Sequence, residues 1–253
     1  MKVIQIVGYS GSGKTGFIER LIPLLRARGE VGVIKHLGEH AFILEEEKDT
    51  SRFYEKGADL SAGIDPEKMV MVARDNRLDH ALDMFSDAGI DFAIVEGFKT
   101  IPYPRIVIGD LESEGCVLRN PVPEEVLRSL SIFTDHYTMG GLVKELKKEH
   151  KEGRAGAIVT FNGMVREWTG TERTEHLDFD DDLDRKIDGL REKMKGMPGV
   201  LGVRLYHRKG RIRAGEDITY FAVLAEHRRD ALRAVTETLN EMKKEVHRGG
   251  LPV

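Results

Sequence analysis

Eight residues near the N-terminus restrict the fold more than any other stretch. Gly8-Tyr9-Ser10-Gly11-Ser12-Gly13-Lys14-Thr15 fits the spacing G-x-x-x-x-G-K-[ST]. An apolar run, Val3 to Val7, precedes it; residues 14–28 follow, with Phe17, Leu21, Leu24 and Leu25 on one helical face. Strand, glycine-rich turn and helix in that order make a phosphate loop. Gly8, Gly11 and Gly13 let backbone N–H groups curl around phosphate oxygens, and the helix N-terminus adds partial positive charge. Ser10 and Ser12 complete the loop, Lys14 reaches the β- and γ-phosphates, and the Thr15 hydroxyl faces Mg²⁺. A plain glycine-rich turn is the simpler alternative, but it would not need Lys14-Thr15 at that spacing.

A chain that opens this way is expected to go on alternating strands and helices. Residues 31–35, 69–72, 91–95 and 105–108 read as strands and 78–88 as a helix. The expected fold is α/β, a mostly parallel sheet of the P-loop NTPase type with both faces covered. A phosphate loop also needs an acid beside its metal. The apolar run 92–95 ends in Glu96, expected to hold Mg²⁺ together with Thr15. Asp49 is a second candidate, and Arg52 and Lys35-His36 are candidates to face phosphate. No Asn-Lys-x-Asp run is present, so the base cannot be read from that motif.

Composition narrows the function classes. Lys and Arg number 39 against 43 Asp and Glu, a net charge of −4, so the basic excess of a general nucleic-acid binder is missing. One cysteine, Cys116, rules out an internal disulfide framework and a cysteine-rich zinc site. No apolar run reaches membrane-spanning length, and the N-terminus lacks the pattern of a signal peptide; the expected location is the cytoplasm.

A second unit is expected from about Gly140-Gly141, dividing the chain into residues 1–139 and 140–253. Its pattern is α+β: helices at 142–152 and from Leu183, strands at 156–161, 200–206 and 217–224, and a helix from Arg229 to about Val246. On that last helix Leu232, Val235, Leu239 and Met242 follow spacings of three and four. Three strands end in basic residues: Arg166, His207-Arg208 and His227-Arg228. Lys243 and Lys244 close the last helix. If the strands pair, these cations are expected to meet at one rim, where Arg grips phosphate or carboxylate and a desolvated Lys serves as base or nucleophile. Solvated strand ends are the plainer reading for any one of them alone.

Taken in order, the phosphate loop, Val33-Ile34-Lys35-His36, Asp49-Thr50-Ser51-Arg52, Gly57-Ala58 and Val95-Glu96-Gly97-Phe98-Lys99 resemble the molybdopterin-guanine dinucleotide biosynthesis adapter family, over about residues 1–138. The segment 41–48 departs from the polar, turn-like chemistry expected there. Gly156 to Arg166, His207-Arg208-Lys209-Gly210, Gly215-Glu216 and Ala225-Glu226-His227-Arg228 resemble the catalytic large subunit of molybdopterin synthase, over about 142–246. The first resemblance implies GTP with Mg²⁺, slow hydrolysis at most, and a guanylyltransferase partner. The second implies an α+β domain of that large-subunit type. It also implies sulfur transfer from a small ubiquitin-like subunit bearing a C-terminal thiocarboxylate to cyclic pyranopterin monophosphate. It assigns catalysis to Lys243 and Arg166, substrate binding to His227, Arg228 and Lys244, and suggests a homodimer. The family continues Pro-x-Trp-Lys-[Lys/Arg]-Glu with a second lysine, where this sequence has Gly250; that departure keeps open a non-catalytic scaffold that docks the small subunit.

Overall fold

The computed structural model describes residues 1–38, 40, 49–151, 153–179 and 183–245. It divides into two compact units, Met1–Ser86 with Ile90–His136, and Asp87–Gly89 with Tyr137–Val253.

The first unit runs β1 (Lys2–Val7), α1 (Lys14–Arg26), β2 (Val31–Lys35), α2 (Asp49–Glu55), β3 (Leu60–Ile64), β4 (Met69–Ala73), α3 (Leu78–Ala88), β5 (Phe92–Glu96), β6 (Arg105–Val107), β7 (Cys116–Arg119), α4 (Pro123–Arg128) and β8 (Thr134–Asp135). Five strands pair in parallel in the order β2-β5-β1-β6-β7, and β8 adds antiparallel beside the start of β1. Successive residues of a strand face opposite ways, so β1 feeds two cores. Ile4 and Ile6 pack with Phe17, Leu21 and Leu25 of α1 and Val126 of α4. Val3 packs with Leu78 and Leu82 of α3 and with Ala93 and Val95 of β5. Fully buried side chains of this size contribute roughly 1.5–3 kcal/mol each. They fix β1 as the central strand and so fix the loop that follows it.

Residues 69–72 form a strand outside the parallel sheet. β4 pairs antiparallel with β3, Leu60 opposite Ala73 and Ile64 opposite Met69. The reason is local: Asp65 Oδ1 accepts from the Glu67 and Lys68 N–H groups, each at 2.8 Å, and closes a tight turn.

The second unit runs α5 (Met139–Glu149), β9 (Ala157–Met164), β10 (Trp168–Thr169), β11 (Glu172–Arg173), β12 (His176–Phe179), α6 (Leu183–Lys195), β13 (Val200–His207), β14 (Gly210–Arg213), β15 (Asp217–Ala225) and α7 (Arg228–Glu245). Its central sheet is antiparallel, β13-β15-β9, with separate pairs β12-β14 and β10-β11. Phe221, Val223 and Ala225 face α6 and α7; Ala222 and Leu224 face α5 through Leu142 and Leu146. The buried stripe of α7 is Ala231, Ala234, Val235, Thr238 and Met242. Leu232, expected inside, is 53% exposed. Small alanines let the helix approach the sheet closely, and they carried little signal beside the larger Leu232.

Candidate functional site

The phosphate loop begins where the backbone packs closely against a neighbouring strand exit. A Cβ on Gly8 would lie 2.3 Å from the Ile108 carbonyl oxygen, so only glycine fits against the neighbouring strand exit. Gly13, at φ 89°, turns the chain into α1, whose first residues are Lys14 and Thr15. Lys14 Nζ spans the loop and donates to the Gly8 and Tyr9 carbonyls at 3.2 and 2.7 Å. The Ser12 hydroxyl is buried beneath the loop and has no partner among the described residues. Ser10 and Gly11 are exposed on its outer turn. An ammonium, an unspent hydroxyl and a helix N-terminus converging on one turn fit a phosphate chain.

Register places Glu96 beside this loop. Glu96 pairs with Ile6 of β1 on one side and Lys35 of β2 on the other. Its side chain is 12% exposed and lies 3.5 Å from Lys35 Nζ. Thr15 and Glu96 supply a hydroxyl and a carboxylate, the oxygen donors that Mg²⁺ favours. His36 stacks against Phe98 at 4.5 Å between ring centres. Asp49 and Arg52 pair with each other on exposed α2 at 3.6 Å. Residues 41–48 lie outside the described residues.

Two buried polar side chains escaped sequence reasoning. Gln5, 0% exposed, donates through Nε2 to the Gly97 and Phe98 carbonyls at 2.9 and 2.8 Å. Arg105, also buried, donates to the carbonyls of Lys99 at 2.8 Å, Tyr103 at 3.2 Å and Ile101. Together they hold the segment after Glu96, where Phe98 takes φ 51° and Lys99 Nζ lies 5.5 Å from the Tyr9 ring centre. The available signal was a single polar residue within one apolar run, Val-Ile-Gln-Ile-Val, and at the head of another, Arg-Ile-Val-Ile.

The second unit does not gather its cations at one rim. β9 and β15 are antiparallel, with Ala157 opposite Ala225 and Met164 opposite Asp217. Arg166 therefore follows the Met164 end, and His227-Arg228 the Ala225 end. Eight residues of strand set these ends roughly 25 Å apart. β13 ends at His207 opposite Thr219, so His207-Arg208 lie at the Arg166 end. α7 leaves the Ala225 end and runs back over β9 and β15 for 18 residues, which carries Lys243 and Lys244 toward the Arg166 end.

Two clusters result. At one end Arg166 is exposed after buried Val165, and Arg208 donates to the Asp217 carbonyl at 3.0 Å. Buried His207 meets the Arg208 carbonyl through Nδ1 at 2.7 Å and the Phe179 ring edge-on. Lys243 and Lys244 are exposed. At the other end His227, Arg228 and Arg229 line an open depression of about 470 Å³ with Gly156 and Glu226. Two arginines at a helix N-terminus oppose its dipole; Asp230 in the same turn offsets part of that cost, and an anion in the depression would offset more. The residues beyond 245, Gly250 among them, lie outside the described residues.

Residues 3–121 match the family model "Molybdopterin guanine dinucleotide synthesis protein B", MobB, and residues 138–245 match "MoaE protein". A Haloferax volcanii protein described as "Probable molybdopterin synthase" is 31% identical over 254 aligned positions, covering 96% of this chain and 93% of that protein. A Bacillus subtilis "Probable molybdopterin-guanine dinucleotide biosynthesis adapter protein" is 36% identical over 42% of this chain and 64% of its own length. A Staphylococcus carnosus "Molybdopterin synthase catalytic subunit" is 33% identical over 36% of this chain and 63% of its own length. The match spans just under two thirds of each of the latter two.

Proposed function

Because this chain belongs to the family of the Haloferax volcanii protein, with a MobB-type unit followed by a MoaE-type unit of molybdenum cofactor biosynthesis, we propose that it is a GTP-binding adapter fused to a sulfur transferase. The observation that carries this reading is the pairing, in one chain, of a phosphate loop with an orphaned Ser12 hydroxyl and an α+β unit with two cation clusters. In the first unit Gly8, Ser10, Gly11, Ser12, Gly13 and Lys14 hold the triphosphate of GTP, and Thr15 and Glu96 hold its Mg²⁺. When bound, the ion neutralises phosphate charge. The sequence offers no evident glutamine or arginine finger to orient water, so the unit is read as holding nucleotide rather than turning it over rapidly. Its partner is a guanylyltransferase of the same pathway.

In the second unit the thiocarboxylate tail of a small ubiquitin-like subunit delivers sulfur to cyclic pyranopterin monophosphate. Lys243 and Arg166 stabilise the negative charge that develops in transfer; His227, Arg228 and Lys244 bind the substrate and its phosphate. One substrate cannot bridge clusters roughly 25 Å apart, so a homodimer brings the His227 end of one copy to the Arg166 end of its partner. The β3–β4 hairpin, with Leu60, Ile64, Met69 and Val70 exposed, offers the first unit an apolar surface for the same pairing. The test is direct. Purified chain, thiocarboxylated small subunit and cyclic pyranopterin monophosphate should yield the dithiolene product. Docking of the small subunit without product would favour the scaffold reading instead.

A further inference from the structure

The exits of β6 and β7 carry a pair of groups that the phosphate site does not use. Resting on the nucleotide reading above, we propose that they form a guanine-reading subsite, with Asn120 donating to N7 of the base and Asp110 accepting from N1–H and the 2-amino group.

The direction of the nucleotide follows from the sheet. Glu96 and Lys35 stand on the β5 side of β1, so the metal and terminal phosphates belong there. The nucleoside then extends the other way, over the C-terminal ends of β6 and β7, which flank β1 on its opposite side. Ligands of open parallel sheets lie across such a reversal of strand order.

The chain there is joined to the phosphate loop. Ile108 N–H donates to the Val7 carbonyl at 2.8 Å, and a Cβ on Gly109 would sit 3.3 Å from that of Ser12. Asn120, just past β7, grips the same glycine in both directions. Its Oδ1 accepts from Gly109 N–H at 2.6 Å, and its Nδ2 donates to the Gly109 carbonyl at 3.3 Å. This pairing fixes which way the amide faces and leaves one N–H and one lone pair on an exposed side chain. Asn120 holds this position at φ 47°, in the left-handed region that asparagine tolerates.

Arg119 braces the turn from the other side, with Nη1 donating to the carbonyls of Gly109 and Leu111 at 3.2 and 3.1 Å. Asp110 sits between these two anchored residues. Its carboxylate is exposed and has no partner among the described residues. Val122, 54% exposed two residues beyond Asn120, offers an apolar surface to the base.

The chemistry selects guanine. Every purine presents N7 as an acceptor, which the free Asn120 N–H meets. Guanine alone among the common purines presents two adjacent donors, N1–H and the 2-amino group, to a carboxylate. Adenine has a lone pair at N1 and xanthine an oxygen at C2; both repel Asp110. The two roles that Asn-Lys-x-Asp combines in one loop are split here between two strand exits.

The test is calorimetry on the full chain with Mg²⁺, using GTP, XTP, ATP and tripolyphosphate. Wild type should prefer GTP to ATP and XTP by at least about tenfold. Asp110→Asn should lose GTP and gain XTP, because an amide donates to the C2 oxygen, while tripolyphosphate affinity stays within about twofold. Asn120→Asp keeps the acceptor for Gly109 N–H and sets an oxygen against N7, so GTP and ATP should weaken together. An unchanged GTP-to-XTP ratio in Asp110→Asn overturns the subsite. Wild type binding tripolyphosphate and every nucleotide equally also overturns it, yet leaves the phosphate loop standing. Failure of wild type to bind even tripolyphosphate overturns both.

Discussion

At the scale of single residues, the groups that matter are those with unspent hydrogen-bonding capacity or unusual burial. Among the described residues Lys14 has only loop carbonyls as partners, so its charge is available to phosphate. Lys14→Ala should weaken GTP at least tenfold, about 1.4 kcal/mol, and equal affinities in calorimetry would contradict the assignment. Gln5 acts by support. Gln5→Leu would strip the Gly97 carbonyl of its donor and leave the Phe98 carbonyl with the Ile101 N–H at 3.0 Å, at a cost of roughly 1–3 kcal/mol. Chemical denaturation should show that loss, and Mg²⁺-dependent nucleotide affinity should fall with it because Glu96 precedes the freed segment. The loop was legible in the sequence because its chemistry is local, eight consecutive residues with fixed roles. Gln5 was not, because its carbonyl partners, Gly97 and Phe98, lie far off in sequence; Arg105 was not, because the carbonyls it holds, from Lys99 to Tyr103, belong to an irregular segment that no periodicity marks. In the second unit, loss of a charge aimed at the transition state typically costs 10²–10³ in rate, about 2.7–4 kcal/mol. Lys243→Ala should lower sulfur transfer by that order, measured as product per unit time, with small-subunit affinity retained.

At the scale of elements, periodicity located strands and helices well and their partners poorly. The run 69–72 was readable as a strand, but only the Asp65 turn shows that it folds back on β3 instead of joining the sheet. Likewise three strands ending in basic residues were visible, whereas antiparallel register sends them to opposite ends. Pairing direction is set by tertiary packing, and single-strand patterns do not encode it. The β12–β14 pair carries a pH-dependent prediction. The Asp178 carboxylate accepts from Arg211 at 3.1 Å, and that hydrogen bond, assisted by the guanidinium charge, holds its pKa below the ordinary range. A lowered acid favours the fold wherever it is ionised, and its contribution is lost as pH falls below about 3.9 and on through the lowered value. Urea midpoints of wild type should therefore drop more steeply on acidification than those of Asp178→Asn; parallel curves would show that the pair contributes nothing.

At the scale of the whole molecule, two units of one pathway lie in a single chain, and each is incomplete alone in a different way. On the reading proposed above, the first holds a nucleotide without turning it over rapidly. The second separates Arg166 and Lys243 from His227 and Arg228 by the length of its sheet. A two-copy site resolves the separation, and it can be tested without a structure of the assembly. Arg166→Ala and His227→Ala chains should each be nearly inactive in sulfur transfer with thiocarboxylated small subunit and cyclic pyranopterin monophosphate. Unfolded together and refolded as a mixture, they should regain about one quarter of wild-type activity. Half the dimers are then mixed, and one of their two sites draws both intact residues. A mixture as inactive as its parents, or single variants as active as wild type, would contradict the account.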